Sequence, residues 1–224
     1  MKICSYIMNT DSGLAPNPFW GFCTLALCTP NHQGVKLSPN DWIIGTRPRS
    51  LGGKLIYAMK ISEKIHFQNY FNDKRFQKKK PNLSGSWKDK CGDNIYSLDG
   101  NDQWKQLPVL YHNTHKQVLQ DTKYPYAYVS KHFYYFGENA IEIPDKFSEL
   151  IRDRHGCKCN HQPAVMAKFV DWIEEKLPIG VQGLPADRHY FIEPLDESIC
   201  SPCRYMKKSK SVKEEETNKI KNPC

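Results

Sequence analysis

Three sets of residues in this chain have types and spacings that suit chemistry. Cys157-Lys158-Cys159 and Cys200-Ser201-Pro202-Cys203 are two thiol pairs, and His155 and His161 flank the first. Four thiolates, or three with one imidazole, close a tetrahedral structural zinc site, although the single residue inside the first pair is short of the usual two to four. Asp93 and Tyr96 in CGDNIYS, His112 and His115 in YHNTH, and Asp121 bring carboxylates and imidazoles together in one polar stretch. A carboxylate that orients an imidazole moves protons, so Asp93, His112 and Asp121 are weak catalytic candidates. The chain has no Gly-rich phosphate loop, nucleophile elbow or HExxH helix.

The third set is aromatic and basic. In DSGLAPNPFWGF, Pro16 and Pro18 restrict the backbone on each side of Asn17, and Gly13 and Gly21 permit sharp turns. Phe19 and Trp20 are then held where a planar base could stack, an interaction of roughly 1–3 kcal/mol per base. Asp41 and Trp42 at the head of DWIIGT suit the same pocket, with Asn17 or Asp41 reading a polar base edge. Lys74, Arg75, Lys78, Lys79 and Lys80, interleaved with Phe71, Phe76 and Trp87, suit a phosphate backbone. The Arg75 fork clamps phosphate at two points where lysine cannot. Core packing of the aromatics and a solvated loop for the cations are the ordinary alternatives.

The elements that would position these groups are short strands with few helices. FCTLALC reads as a strand covered on both sides, DWIIGT as a short strand, and KLIYAMKI as a half-buried one; YPYAYVS and HFYYF are also strand-like. SEKIHFQNYFNDKRF holds one short helix, and IPDKFSELIRDRHG a second, capped by Asp145 and stopped at Gly156. QPAVMAKFVDWIEEKLP is the clearest helix, with Val165, Phe169, Trp172 and Ile173 on one face. The pattern predicts an α+β fold around a small barrel or strongly curved sheet. A polar stretch over residues 78–110 is long for a plain connection and suits a functional loop.

A chain of 224 residues supports one sizeable core. Residues 1–180 read as that domain and 181–224 as an extension with a basic tail lacking apolar periodicity. The formal net charge of +8 favours anionic partners without choosing among them, and it excludes no enzyme class. The sequence shows neither an export signal nor a run apolar enough to span a membrane, so a cytoplasmic protein without membrane contact is expected. Nine cysteines in such a chain favour reduced thiols or a structural zinc over a disulfide framework, with no other cofactor expected.

The stretches SYIMNTDSGLAPNPFWGFCTLALCTPN, NDWIIGT, KLIYAMKIS, YFNDKRFQKKKPNLSGS and CGDNIYS, in this order, resemble the second of the nucleotide modification associated domains of bacteria and phages. RDRHGCKCN and its following helix match more weakly, and the tail with CSPC lies outside. The resemblance implies a place in a system that modifies bases or nucleotides, alongside other proteins of that system, and brings no catalytic residues. The element order also looks like the PUA-like modules, including the EVE, ASCH and YTH groups, which hold a modified base in a pocket; that is fold analogy. Three readings stand: a reader of nucleic acid or nucleotide, an enzyme that alters one, and a zinc-stabilised interaction protein.

Overall fold

A computed structural model describes residues 1–27, 35–154 and 156–192. Strands β1 (Ile3–Ile7), β3 (Trp42–Thr46), β4 (Leu55–Lys60), β9 (His132–Tyr135) and β10 (Gly180–Val181) form one sheet, written in spatial order. A second sheet has the order β2 (Cys23–Leu25), β8 (Tyr126–Ser130), β5 (Glu63–His66), and β6 (Tyr96–Leu98) pairs with β7 (Trp104–Gln106). β1 with β3 and β9 with β10 are parallel; the other pairs are antiparallel. The α+β expectation therefore holds. The barrel does not follow: among the described strands both sheets stay open, with β1 and β10 as the edges of the larger.

The two sheets are halves of one ribbon. β4 pairs with β9 and β5 with β8 in a single register, Met59 opposite Phe133 and Glu63 opposite Val129, so residues 57–66 run against 126–135 in one phase on both sides of the break. At the break, Ser130 Oγ lies 2.6 Å from Lys60 O and 2.7 Å from His132 O, and Ser62 N donates to Val129 O at 2.8 Å. A side-chain hydroxyl thus satisfies backbone groups that leave the ladder.

Residues 55–59 are buried without alternation, contrary to the half-buried reading of KLIYAMKI. The reason is cover on both faces. Leu55 and Ala58 pack with Trp42, Tyr134 and helix α4 (Pro163–Lys176), whereas Tyr57 and Met59 pack with Tyr6, Leu25 and Phe133. α4 begins at Pro163, as a first turn tolerates, and buries Met166, Phe169, Val170 and Ile173; Val165 and Trp172 are only partly covered. The segment expected to be helical around Asp145 is one 3-10 helix, Asp145–Leu150, preceded by Pro144 rather than capped by Asp145. The short helix of SEKIHFQNYFNDKRF is α1 (Phe67–Asn72), after which a 3-10 helix, Lys74–Lys79, begins on a new cap.

The segment beyond residue 180 joins the same body through Asp11. Asp187 N donates to Asp11 O at 2.8 Å and Asp11 N to Asp187 Oδ2 at 2.7 Å, while the Asp11 carboxylate accepts from Tyr135 OH at 2.5 Å and Ala186 N at 3.3 Å. Phe191 is buried against the core that contains Phe19 and Tyr96. No helix among the described residues is long and apolar enough to cross a membrane.

Burial raises the Asp11 carboxyl to about 6, against the hydrogen bond from Tyr135. A carboxyl raised on folding adds stability that is complete below its unfolded value and lost as pH rises through the folded one. The stability of the native chain relative to Asp11→Asn should therefore fall by about 2 kcal/mol between pH 4 and 7. Urea unfolding across that range checks it; a constant difference would refute it.

Candidate functional site

The Pro16–Phe22 region is built around a lysine. Lys79 is fully buried, and its ammonium donates to Asn17 O, Asn17 Oδ1 and Phe22 O, each at 2.8 Å. All three ammonium hydrogens are thereby used. Burial pulls the Lys79 ammonium down to about 8, opposed by the nearby Asp93 carboxylate. Asp93, also buried, is pushed up by the same desolvation and held by Lys79, by Thr24 Oγ1 donating at 2.6 Å and by Tyr70 OH at 2.7 Å.

Each residue of the CGDN stretch serves this anchor. Cys91 O accepts from Asn17 Nδ2 at 2.9 Å. Gly92 lets the chain pass so close to residues 79–81 that a Cβ would meet Lys79 O at 2.4 Å. Asn94 Nδ2 donates to Tyr70 O at 3.0 Å and Phe76 O at 3.2 Å, and Asn94 N to Lys79 O at 3.0 Å. Asp93 is thus part of the scaffold. Lys79 and Asn17 are spent in it too, which removes Lys79 from the phosphate-binding set and Asn17 from base reading.

Held this way, residues 19–22 form a tight turn. Phe22 N lies 3.4 Å from Phe19 O, and Trp20 and Gly21 take φ of 63° and 80°. Two left-handed residues in succession are the mark of a hairpin-type turn, and for a non-glycine residue such as Trp20 that conformation costs on the order of 1–2 kcal/mol. Phe19 is buried, its ring edge-on to Trp87 at 5.6 Å; Trp20 and Phe22 are half-buried. The Trp20 indole N–H has no hydrogen-bond partner among the described residues.

Three ammonium groups lie over this turn. Lys78 Nζ is 5.6 Å from the Trp20 ring, Lys131 Nζ 5.3 Å from the Phe22 ring, and Lys88 Nζ 5.6 Å from both the Phe19 and Trp87 rings. Lys78 and Lys131 are exposed and Lys88 is half-buried. Lys131 and Lys88 had no place in the sequence reading of this face. Lys131 belongs to the ribbon break, and only the register brings it to Phe22.

Other residues singled out in the sequence lie elsewhere or are engaged. Lys80 Nζ sits 3.6 Å over the Phe71 ring, and Lys74 is exposed. The Arg75 fork is taken by Glu63, at 2.6 and 3.1 Å, and by Asp73, so it offers no free clamp. Trp42 is fully buried in the α4 core, stacked on Tyr134 at 6.3 Å. Asp41 accepts from Lys2 N at 2.7 Å and Ser38 N at 3.0 Å. Trp42 therefore belongs to a different core from Phe19 and Trp20.

The catalytic candidates divide. His112, with φ of 64°, has Nδ1 at 3.1 Å from Asp121 Oδ2, and Tyr96 OH donates to the same oxygen at 3.0 Å; all three are buried. Asp93 is not part of this group. His115 opens helix α3 (His115–Thr122), whose cap is Thr114.

Among the described cysteines, Cys4 and Cys159 are disulfide-bonded, and Cys157 lies beside them with the three sulfurs within 4.8 Å of one another. The pair expected to share a metal with Cys200 and Cys203 thus gathers on Cys4 instead; Cys200, Cys203 and His155 lie outside the described residues. Burial pushes the thiols of Cys23, Cys91 and Cys157 up to about 12. His161 Nε2 lies 3.0 Å from Ser5 Oγ and 3.1 Å from Lys158 O.

The model of the nucleotide modification associated domain 2 matches residues 1–191. The chain belongs to that family. The matched span takes in the anchored turn, the CGDN stretch, the cysteine cluster and the segment tied by Asp11. No curated protein and no solved structure matches the chain. Membership in the family links the chain to nucleotide modification.

If Lys79 is the anchor, Lys79→Met should destabilise the fold by about 3 kcal/mol, because three carbonyl oxygens and Asp93 lose their partner inside the protein. The loss should shrink in the Lys79→Met, Asp93→Asn double variant, which removes the stranded charge. Urea midpoints at equal slope test this, and additive effects would count against the coupling.

Proposed function

We propose that this domain is a nucleic-acid or nucleotide reader within a modification system, seating a base on the 19–22 turn and engaging phosphate through Lys78, Lys88 and Lys131. The observation that carries the reading is the set of ammonium groups 5.3–5.6 Å above Phe19, Trp20 and Phe22. An exposed cation over a ring contributes about 0.5–1 kcal/mol, whereas a stacked base contributes roughly 1–3 kcal/mol. A base can therefore displace an ammonium, which then meets the phosphate of the same nucleotide. The strained Trp20 backbone fits a residue kept for its ring, since glycine would relax the turn. A PUA-like mode, with a modified base lifted from its strand, is the finer form of this reading.

A second reading rests on one distance, the 3.1 Å between His112 Nδ1 and Asp121 Oδ2. A carboxylate so placed fixes the tautomer and orientation of the imidazole, and such an imidazole serves as a general base. On that reading the same face delivers the nucleotide and His112 acts on it.

Binding of labelled single-stranded DNA, RNA and nucleotides, with modified and unmodified bases, separates the two. The reader predicts affinity that falls with salt at a log–log slope of roughly −2, as three cations on a single strand give. Trp20→Gly should weaken binding at least about tenfold while unfolding shifts by less than about 1 kcal/mol, because relief of strain offsets lost ring contacts. Ligand recovered with unchanged mass supports the reader. A changed mass that His112→Ala abolishes establishes the second reading, and salt-independent or absent binding refutes both.

A further inference from the structure

The cysteine cluster lies apart from the proposed binding face and follows from strand geometry. Residues 157–159 lie against β1: Ser5 N donates to Lys158 O and Lys158 N to Ser5 O, both at 2.9 Å. This makes Ser5 and Lys158 a hydrogen-bonded pair, so the next pair along the ladder is Cys4 opposite Cys159. Cys157, two residues before Cys159, falls on the same face as both. Tyr6, Tyr57 and Tyr128 belong to the core that this face covers. Ser5 and its partner His161 occupy the opposite face, so His161 secures the loop and is not directed at the sulfurs.

A disulfide needs two sulfurs, and here a third stands with them inside 4.8 Å. Metal–sulfur bonds of about 2.3 Å in tetrahedral geometry set sulfur atoms roughly 3.8 Å apart, which rotation of three cysteine side chains can reach once the disulfide opens. We propose that the reduced thiols of Cys4, Cys157 and Cys159 form a site for a thiophilic divalent ion, zinc by preference, whose fourth position takes water or a small thiol. The Cys4–Cys159 disulfide is the metal-free, oxidised state of the same site. In both states the group ties β1 to a segment 155 residues away, and the two states exclude one another because the same sulfurs serve both. Cys23 shares the core beneath this face and Cys91 lies in another core, and neither belongs to the group of three sulfurs.

The steps balance simply. Dithiothreitol supplies two electrons and closes to its own cyclic disulfide, and its two protons go to Cys4 and Cys159. The ion then displaces one proton from each of three thiols to the buffer.

The full chain is reduced without oxygen, exchanged into Zn2+ or Co2+, freed of excess ion and measured for bound metal and absorption. About one ion per chain is expected, and Co2+ should show sulfur-to-metal charge transfer with the intense visible bands of a tetrahedral site. Cys157→Ser should lower zinc affinity at least about tenfold. Its oxidised form should melt like the native chain, since the Cys4–Cys159 bond remains. Cys200→Ser with Cys203→Ser should leave binding intact. Reduced native chain that retains no metal overturns the proposal. So does binding that survives Cys157→Ser, or that vanishes only when Cys200 and Cys203 are replaced.

Discussion

An ammonium group enclosed by protein sets the terms for the rest of the binding face. Lys79 gives up its hydration, and desolvation alone would drive it toward the neutral form. What keeps it in place is a closed set of partners: three carbonyl oxygens from the turn that carries the aromatics, and the field of Asp93. Asp93 in turn is held by Thr24 of β2 and Tyr70 of α1. One charge pair thus joins the turn, a strand of the smaller sheet and the helix that leads into the basic segment. The aromatic rings and their lysines are positioned by this interior contact, since a turn that holds Trp20 in the left-handed region carries strain that its surroundings must offset.

The consequence for the lysine run is geometric. Residues 74–79 form a 3-10 helix, in which side chains three apart eclipse one another, so Phe76 and Lys79 enter the core together. Lys78 faces solvent as a result, and Lys80, just past the helix, leans over Phe71. Three adjacent cations of one type therefore have three different roles. The run reads as a uniform basic patch in sequence because nothing in the string reveals the helical period that sorts it.

The same limit separates what the sequence disclosed from what it concealed. α4 was legible because fourteen residues between two prolines repeat one apolar stripe. The strands were legible from their β-branched and aromatic content, but not their cover, since β4 is buried on both faces by groups distant in sequence. His112 and Asp121 were sensibly paired because they are near neighbours in one polar stretch, whereas Asp93 found partners in Thr24 and Tyr70 instead. Asp41 and Trp42 looked like pocket residues by type, but Asp41 binds Lys2 N and Ser38 N, and the burial of Trp42 against α4 depends on strand order that no local pattern carries. Likewise CxC at 157–159 suggested a ligand pair, but its third sulfur lies in β1 at the other end of the chain.

The ribbon that runs through both sheets has a bearing on how this domain can change. Because Met59 with Phe133 and Glu63 with Val129 keep one register across the break, the larger core and the aromatic face are locked in phase. Replacing a residue at the break alters only the contacts of that side chain. Inserting or deleting one would invert inside and outside along a whole arm, taking Lys131 away from Phe22 or Phe133 out of its core. Chain length between Lys60 and Glu63, and between Ser130 and His132, is thus the quantity this architecture cannot trade.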